Sequence, residues 1–305
     1  MTVSAFPYIG GKSQMAPWII DHLPDHECYV EPFAGSAAVL LTKPLSTVEV
    51  LNDRDRDIVH FFEVVLEQPA ELAEFVRNIP YSRQLYEEWA EDYYAGCRDD
   101  DPVARAGKWL YLRYASFGGK YGRRTGWKRA SVRNRQPPSR NWENVDERIF
   151  IIRDRFRGAE IECLDYKDVI DRYDSEQTVF YCDPPYVEAD DDYYRVSDSE
   201  FPHGELADTL TKIDGAAIVS YTDAPEDSPL RDWHVSEFKK KNAARRGSHT
   251  EWNDETTERL FMNFDPAETP TFVGAAQATL DCATDGGNNC WVEPDTDRSE
   301  GGESP

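Results

Sequence analysis

Apolar residues in the first half of the chain form two short clusters and several longer stretches with helical spacing. The clusters at residues 28–32 and 47–51 predict strands. Apolar positions three or four residues apart predict helices at 57–67 and 70–78, and further helices are predicted at 36–42 and 103–117. The chain therefore begins with a strand, a helix and a second strand, followed by a helical stretch.

The second half of the chain returns to alternating strands and helices. Residues 178–182 and 216–221 predict strands, with a helix at 204–213 between them. Two final strands, near 234–239 and 259–264, can pair as a hairpin. This alternation predicts an α/β fold with a mostly parallel sheet covered on both faces and a terminal antiparallel hairpin.

The order of these elements divides the chain into three parts. Residues 1–55 and 160–265 are predicted to form one catalytic domain, because they contain the alternating strands and helices. Residues 56–159 are an inserted, mainly helical recognition region. Residues 266–305 are rich in Gly, Thr, Asp, Glu and Pro with little periodicity, which predicts a disordered tail.

Charge is distributed very unevenly along the sequence. The net charge is -24 with 24 Arg and 10 Lys, which favours a halophilic protein from a salt-rich cell; an ordinary acidic cytosolic protein stays open. Yet residues 105–142 contain eleven Lys or Arg and no acid. Residues 105–157, here called the basic segment, have fifteen basic and four acidic residues, or +11, so the rest carries -24 - 11 = -35. A basic segment in an acidic chain predicts contact with phosphates.

Membrane, secretory and metal-binding classes are not favoured. No apolar run approaches the roughly 18–20 residues of a membrane span, and the N-terminus does not have the pattern of a signal peptide. The six cysteines lack the C-x-x-C spacing of a metal site and are predicted to be reduced thiols in a cytoplasm.

Two patterns at predicted strand ends are typical of ligand sites in open α/β sheets. Glu31 and Gly35 lie in a strand–turn–helix segment, where glycine permits a tight turn and a helix N-terminus favours an anion such as a ligand carboxylate. An ordinary turn would look the same. Asp53 follows the next strand, 22 residues after Glu31, where an acid can hold ribose hydroxyls. Glu49 and Asp55 compete with it for this role, or are surface charges.

The segment at 181–186, Tyr-Cys-Asp-Pro-Pro-Tyr, is the most specific pattern. Asp183 and the Pro184 carbonyl can accept the two N–H groups of an amino-substituted base, and Tyr186 can stack on its ring. The alternative is a proline-rich turn with an Asx cap. At the N-terminus, Tyr8 to Ser13 mimics a phosphate-binding loop, but position 6 is Phe where that pattern needs Gly, so a nucleoside triphosphatase is rejected.

In this order the patterns resemble the Dam-like family of DNA adenine-N6 methyltransferases, from about Phe6 to Phe264. The resemblance implies a Rossmann-like methyltransferase sheet, S-adenosyl-L-methionine as cofactor and double-stranded DNA as partner, with a restriction endonuclease as a further candidate partner. It implies that the cofactor is bound by Tyr8, Lys12, Glu31, Gly35, Asp53 and Asp183. It also implies that a flipped adenine is held by Asp183, Pro184 and Tyr186, without a metal.

The basic segment supplies the candidate DNA contacts. These are Lys120, Arg123, Arg124, Lys128, Arg129, Arg133 and Arg135, interspersed with Tyr121 and Trp127. Arginine can hold backbone phosphates and guanine edges. The alternative is that these residues pair with the acidic surface of the same protein.

Departures from the family pattern affect the recognition sequence. Phe117 precedes Gly118 and Gly119 where relatives have Asn-Gly, and residues 220–223 lack the usual Asn or His. Three other functions stay open: a cytosine-N4 methyltransferase, an RNA adenine methyltransferase, and a catalytically inactive DNA-binding protein of the same fold.

Overall fold

The fold is built on a mixed sheet. A computed structural model describes residues 4–8, 10–117, 123–131, 137–185, 201–241 and 255–272. Within them the sheet has seven strands in the order β3-β2-β1-β4-β5-β7-β6. The strands are β1 (Cys28–Glu31), β2 (Val48–Asn52), β3 (Glu160–Glu162), β4 (Thr178–Cys182), β5 (Ala216–Tyr221), β6 (His234–Lys241) and β7 (Glu255–Met262).

The first five strands run parallel, and β7 pairs antiparallel with both β5 and β6. This arrangement confirms the predicted α/β class, the mostly parallel sheet and the terminal hairpin. The strand order reverses between β1 and β4, and in open sheets such a reversal creates a crevice at the carboxyl ends of the strands.

Ten α-helices lie in the described residues. They are α1 (Ala16–Ile20), α2 (Ala38–Thr42), α3 (Arg56–Glu67), α4 (Pro69–Arg77), α5 (Arg83–Tyr94), α6 (Pro102–Ala115), α7 (Pro138–Glu143), α8 (Val145–Phe156), α9 (Tyr166–Tyr173) and α10 (His203–Leu210). Local sequence fixes several starts: Asp55 caps α3, Asp101 caps α6 and Asp165 caps α9, each accepting a hydrogen bond from a backbone N–H of the first turn. Helices α3 to α8 occupy the stretch between β2 and β3.

Alternating strand residues supply two hydrophobic cores, one on each face of the sheet. One core joins Tyr29, Leu51 and Tyr181 to residues of α1 to α8, among them Phe61 and Trp109. The other joins the opposite sheet face to α9 and α10. The helices of the predicted insertion thus share a core with the sheet, and the division of this chain into separate domains stays a hypothesis.

A buried ion cluster ties the end of the helical stretch to the sheet. Glu49 on β2 accepts hydrogen bonds from Lys43 Nζ (2.7 Å) and from both terminal nitrogens of Arg155 on α8 (2.5 and 2.9 Å). The Lys43 side chain has no exposed surface. Glu49, a candidate ribose ligand in the sequence, is therefore engaged in an ion cluster and lies outside the ligand cavity described below.

The start of the predicted disordered tail packs against the body of the protein. Asp25 N–H donates to the Pro270 carbonyl and Phe272 N–H donates to the Leu23 carbonyl. The Phe272 ring lies 4.0 Å from the His26 ring, centroid to centroid. The prediction of disorder from residue 266 is thus corrected for residues 266–272, because apolar and backbone contacts hold them; residues 273–305 lie outside the described part of the chain.

Two features of the described residues concern the membrane and metal-binding classes. None of the helices there has the length and apolar character that a membrane crossing requires. No group of three or more His, Cys, Asp or Glu side chains in those residues is arranged to hold a metal ion.

Candidate active site

A cavity of about 200 Å³ opens at the carboxyl ends of β1, β2 and β4, where the strand order reverses. Six residues that the sequence singled out line it: Tyr8, Lys12, Glu31, Gly35, Asp53 and Asp183. Glu31, Asp53 and Asp183 are brought together because β1, β2 and β4 are parallel neighbours and end at the same edge, whereas Tyr8 and Lys12 belong to the segment before β1. Pro185, rather than the predicted Pro184, is among the lining residues.

The Asp183 carboxylate is held from two sides. Its Oδ1 accepts a hydrogen bond from Lys12 Nζ (2.6 Å) and another from Ser220 Oγ on β5 (2.8 Å). Lys12, in a short 3-10 helix over Lys12–Gln14, is only 4% exposed and also donates to the Gly10 carbonyl (3.2 Å). A carboxylate with two donors on one oxygen has little rotational freedom. Asp183 is therefore pre-positioned at the cavity wall.

A second buried carboxylate approaches the same lysine. Glu258 Oε1 on β7 lies 3.4 Å from Lys12 Nζ. Behind Asp183, the Tyr181 hydroxyl is within 3.3 Å of Ser220 Oγ. Burial raises the pKa of Tyr181, and the charges of Asp183, Glu31 and Glu258 add to the rise, so this hydroxyl stays protonated at neutral pH. Ser220 and Glu258 are site residues that the sequence analysis missed.

Glu31, at the end of β1, is almost fully buried beside the cavity. Its Oε1 accepts hydrogen bonds from the Tyr29 hydroxyl and from Leu40 N–H in the first turn of α2, each 2.8 Å long. Burial raises the pKa of Glu31 to about 7, and these two hydrogen bonds oppose the rise. Glu31 therefore titrates near neutral pH.

Asp53 closes the β2 side of the cavity and holds the Gly35 turn. Its Oδ2 accepts from Gly35 N–H (2.9 Å) and its Oδ1 from Asp55 N–H (2.8 Å). Exclusion of water raises the pKa of Asp53 to about 7, against the effect of these two hydrogen bonds. Asp55, the other competing acid, lines the cavity and caps α3.

These contacts engage two backbone N–H groups near the α2 N-terminus, where the sequence predicts a ligand carboxylate, and that role stays a prediction. The Leu40 N–H donates to Glu31 and the Gly35 N–H donates to Asp53, so the protein's own acids occupy these donors. Gly35 itself has a φ of +48°, which glycine tolerates best. A Cβ there would lie 3.1 Å from Cε1 of the Tyr8 ring, so glycine is needed for the close approach of Tyr8.

The far end of the cavity is aromatic and was not predicted from the sequence. Asp165 and Tyr166 come from the turn between β3 and α9, and Phe33 and Phe201 complete the wall. The three rings of Phe33, Tyr166 and Phe201 lie 5.6 Å apart in each pair, centroid to centroid. A flat apolar wall beside an acid suits a purine ring with an amino group.

Part of the basic segment, residues 115–117 and 123–131, is here called the arm and contains antiparallel backbone pairing. Ser116 and Trp127 form an antiparallel bridge, and Lys128 N–H donates to the Ala115 carbonyl (2.7 Å). Arg123, Arg124 and Arg129 are exposed, and Lys128 is partly exposed. Arg124 Nη2 lies 2.7 Å from a carboxylate oxygen of Glu87. At this position a basic residue therefore pairs with an acidic residue of the same protein, which is the alternative to DNA contact.

Some predicted site residues fall outside the described part of the chain. They are Tyr186, Lys120, Arg133 and Arg135. Their roles stay predictions from the sequence.

Comparison with known proteins bears directly on this arrangement. A family model described as D12 class N6 adenine-specific DNA methyltransferase matches residues 8–247. The chain belongs to this family. The match includes both the Lys12 segment and Asp183, the two elements that meet in the cavity of this D12-class chain.

Several DNA adenine methylases are similar to this D12-class chain. That of Escherichia coli strain K12 is 28% identical over 186 residues, which is 59% of this chain and 63% of the relative. The Salmonella typhi protein is 29% identical over 186 residues, with the same coverage of 59% and 63%. That of Serratia marcescens is 26% identical over 189 residues, covering 59% and 65%. The chain thus spans less than two thirds of the length of these relatives.

Proposed function

We propose that this chain transfers a methyl group from S-adenosyl-L-methionine to the N6 amino group of adenine in double-stranded DNA. The main support for the proposal is the position of the Asp183 carboxylate, which Lys12 and Ser220 hold at the cavity wall. Family membership and the names of the relatives support the substrate class.

The cavity fits this cofactor by its chemistry. Asp53 lies at the end of β2, where an acid can accept hydrogen bonds from ribose hydroxyls. Phe33, Tyr166 and Asp165 offer an aromatic wall and an acceptor for the adenine moiety. Glu31 and Asp183 place negative charge toward a cationic ligand. When bound, S-adenosyl-L-methionine supplies an activated methyl group on a positively charged sulfur.

Asp183 has three roles toward the target base. Its carboxylate accepts an N–H of the adenine amino group and so draws electron density from that bond toward the nitrogen. When the amino nitrogen takes up the methyl group that the cofactor would supply, it gains positive charge, which Asp183 would stabilise. The amino nitrogen then loses one proton, through Asp183, to water. Lys12 and Ser220 hold the carboxylate in place throughout, so positioning contributes to the rate.

The basic segment is proposed to hold the duplex while the base is turned out of the stack. An amino group inside the duplex is engaged in base pairing and cannot reach Asp183, so base flipping is required. Tyr186 is proposed to stack on the extruded base, and the Pro184 carbonyl to accept its second N–H. The arm around Trp127 carries Arg123, Lys128 and Arg129 toward solvent, where phosphates can be contacted.

The direct test is transfer of a labelled methyl group. The protein is incubated with methyl-labelled S-adenosyl-L-methionine and double-stranded DNA of mixed sequence, in low and in molar salt, and the nucleosides are then separated. Label in N6-methyladenine is the expected result. Label in N4-methylcytosine, transfer to RNA only, or cofactor binding without transfer would each replace the proposal with one of the alternatives left open by the sequence.

We expect cofactor affinity to fall as the pH drops below about 7. The pKa of Asp53 and the pKa of Glu31 are both raised to about 7, so both carboxyls take up protons below that pH and lose the negative charge that the ligand contacts. Above pH 8 the affinity should be constant. Isothermal titration between pH 5.5 and 8.5 measures this, and Asp53→Asn should make the slope shallower. A wild-type affinity that does not change over this range would contradict the assignment.

Arg129→Ala is expected to weaken DNA binding without changing cofactor affinity. Arg129 is an exposed residue of the arm, so its loss should remove about one phosphate contact. The plot of log DNA affinity against log salt concentration should then have a slope that is smaller in magnitude by about 1. Fluorescence anisotropy at several salt concentrations measures this. Arg172→Ala is the control, since Arg172 pairs with Glu162 near β3. Equal effects of the two substitutions would refute a specific role for the arm.

Two finer assignments also belong to the proposal. The acidic composition favours a salt-rich cytoplasm as the working environment, and the molar-salt arm of the transfer assay tests it. A restriction endonuclease that cuts the same unmethylated sequence is the candidate functional counterpart. Digestion of DNA methylated by this chain with enzymes of known specificity would reveal the shared recognition sequence.

A further inference from the structure

Two hydroxyl groups lie beside Asp183 on one face of the sheet. The parallel strands β4 and β5 pair Cys182 with Val219, so that one position further along the strands Asp183 comes opposite Ser220. Alternate residues of a strand share a face, and Tyr181, two residues before Asp183, therefore points the same way. Tyr181 belongs to the hydrophobic core on this face. The register of two neighbouring strands thus brings two hydroxyls and one carboxylate together.

Both hydroxyls are shielded from water. Ser220 has no exposed surface, and Tyr181 is 3% exposed. A buried hydroxyl costs free energy unless it is hydrogen-bonded. Ser220 Oγ lies 2.8 Å from Asp183 Oδ1 and 3.3 Å from the hydroxyl oxygen of Tyr181. Ser220 therefore connects the tyrosine to the carboxylate.

The proton inventory of these groups fixes the direction of each hydrogen bond. A serine hydroxyl has one proton, and a carboxylate oxygen can only accept. Ser220 donates its proton to Asp183, so the Tyr181 hydroxyl donates to Ser220 Oγ. Burial raises the pKa of Tyr181, so its proton is present at neutral pH. These two successive hydrogen bonds, from Tyr181 to Ser220 and from Ser220 to Asp183, are here called the hydroxyl relay.

We propose that Tyr181 is a positioning residue of the methyl-transfer site, which acts on Asp183 through Ser220. This inference rests on the proposed function. Without a donor to its oxygen, Ser220 can rotate about its side-chain bonds and turn its hydroxyl away from the carboxylate. Donation from Tyr181 holds it in place and polarises its O–H bond, which strengthens the second hydrogen bond by on the order of 10–30%. The target amino group then meets a carboxylate that already has its orientation.

The test is a double-mutant cycle, measured as single-turnover methyl transfer to a DNA duplex at saturating cofactor and DNA. Ser220→Ala removes a hydrogen bond to a charged group, and the rate is expected to fall roughly tenfold. Tyr181→Phe removes only a hydroxyl, and the rate is expected to fall about threefold. Because Tyr181 acts through Ser220, the double variant should be about as slow as Ser220→Ala alone. A double variant about thirtyfold slower than wild type, or a fully active Tyr181→Phe, would overturn the inference.

A matched control separates positioning from a purely structural role. Tyr111 on α6 is also a fully buried tyrosine, and its hydroxyl donates to the Ser82 carbonyl (2.7 Å). Tyr111→Phe should lower the Tm without changing the rate of transfer. Tyr181→Phe should lower the rate, while its affinity for S-adenosylhomocysteine stays within about twofold of wild type. Equal falls in Tm for the two variants, with no loss of rate in Tyr181→Phe, would give Tyr181 a structural role only.

The two proposals fail in different ways. A wild type that transfers no methyl group to DNA refutes the proposed function. The hydroxyl relay has a second readout that needs no transfer, which is a pair of crystal structures of the wild type and Tyr181→Phe. Ser220 Oγ should have one position, within hydrogen-bond distance of Asp183, in the wild type and more than one in the variant. A wild type that methylates adenine, with a single unchanged position of Ser220 in both structures, refutes the role of Tyr181 alone.

Discussion

Replacement of Asp183 by Ala is expected to lower the rate of methyl transfer on the order of 10³-fold, the range seen when one preorganised electrostatic contact to a transition state is removed. The physical reason is that the variant loses the acceptor for the amino N–H and the charge that stabilises the methylated nitrogen. Asp183→Asn should be nearly as inactive, because the amide keeps the shape and loses the charge. Single-turnover transfer of labelled methyl to a DNA duplex measures the effect.

Folding and DNA binding should survive this change. Lys12 keeps Glu258 at 3.4 Å and the Gly10 carbonyl at 3.2 Å, so its buried ammonium group is still compensated. Asp223→Ala is the matched control, because Asp223 is a mostly exposed carboxylate just beyond the end of β5. Near-wild-type transfer by Asp183→Ala would remove Asp183 from the mechanism. A loss as large in Asp223→Ala would point to general damage at this edge.

The central strands β4 and β5 could be predicted with their bounds, and the final hairpin of β6 and β7 could be predicted with approximate bounds. β4 and β5 have the predicted bounds because each is a mostly apolar run followed by a polar residue. β3 was missed because it is an edge strand of three residues, Glu-Ile-Glu, with no apolar run. Helix α5 was missed because its buried residues are mostly tyrosines within a polar stretch, and α9 because its eight residues give a short pattern.

Some residues of the site could likewise be predicted from the local sequence, whereas others depend on contacts between distant parts of the chain. Glu31, Asp53 and Asp183 could be singled out because each lies at or just beyond the end of a predicted strand, and parallel strands end together. Ser220 and Glu258 could not, because their approach to the Asp183 and Lys12 pair depends on the strand order and on the pairing of β5 with β7. The aromatic wall depends in the same way on the position of the β3–α9 turn.

Glu49→Gln is expected to destabilise the fold by about 3–5 kcal/mol, since removing one partner of a buried ion cluster leaves uncompensated charge. Lys43 and Arg155 would then face each other across a neutral amide, and the Lys43 side chain has no exposed surface through which to reach water. In a protein of this size the loss corresponds to a fall in Tm of roughly 10 °C. Thermal unfolding followed by circular dichroism measures it.

Two further variants separate charge from packing in this prediction. Asp154→Ala removes an exposed carboxylate from the same helix, α8, and should cost less than about 1 kcal/mol because surface ion pairs contribute little. Lys43→Met combined with Glu49→Gln removes the most deeply buried cation together with its partner, and Arg155, which is partly exposed, can turn toward solvent. The double variant should therefore regain part of the lost stability. Alternatively, the double variant could lose as much free energy of unfolding as the two single substitutions lose together. In that case the ion cluster would not join α8 to the sheet, and the shared hydrophobic core alone would hold the helical stretch in place.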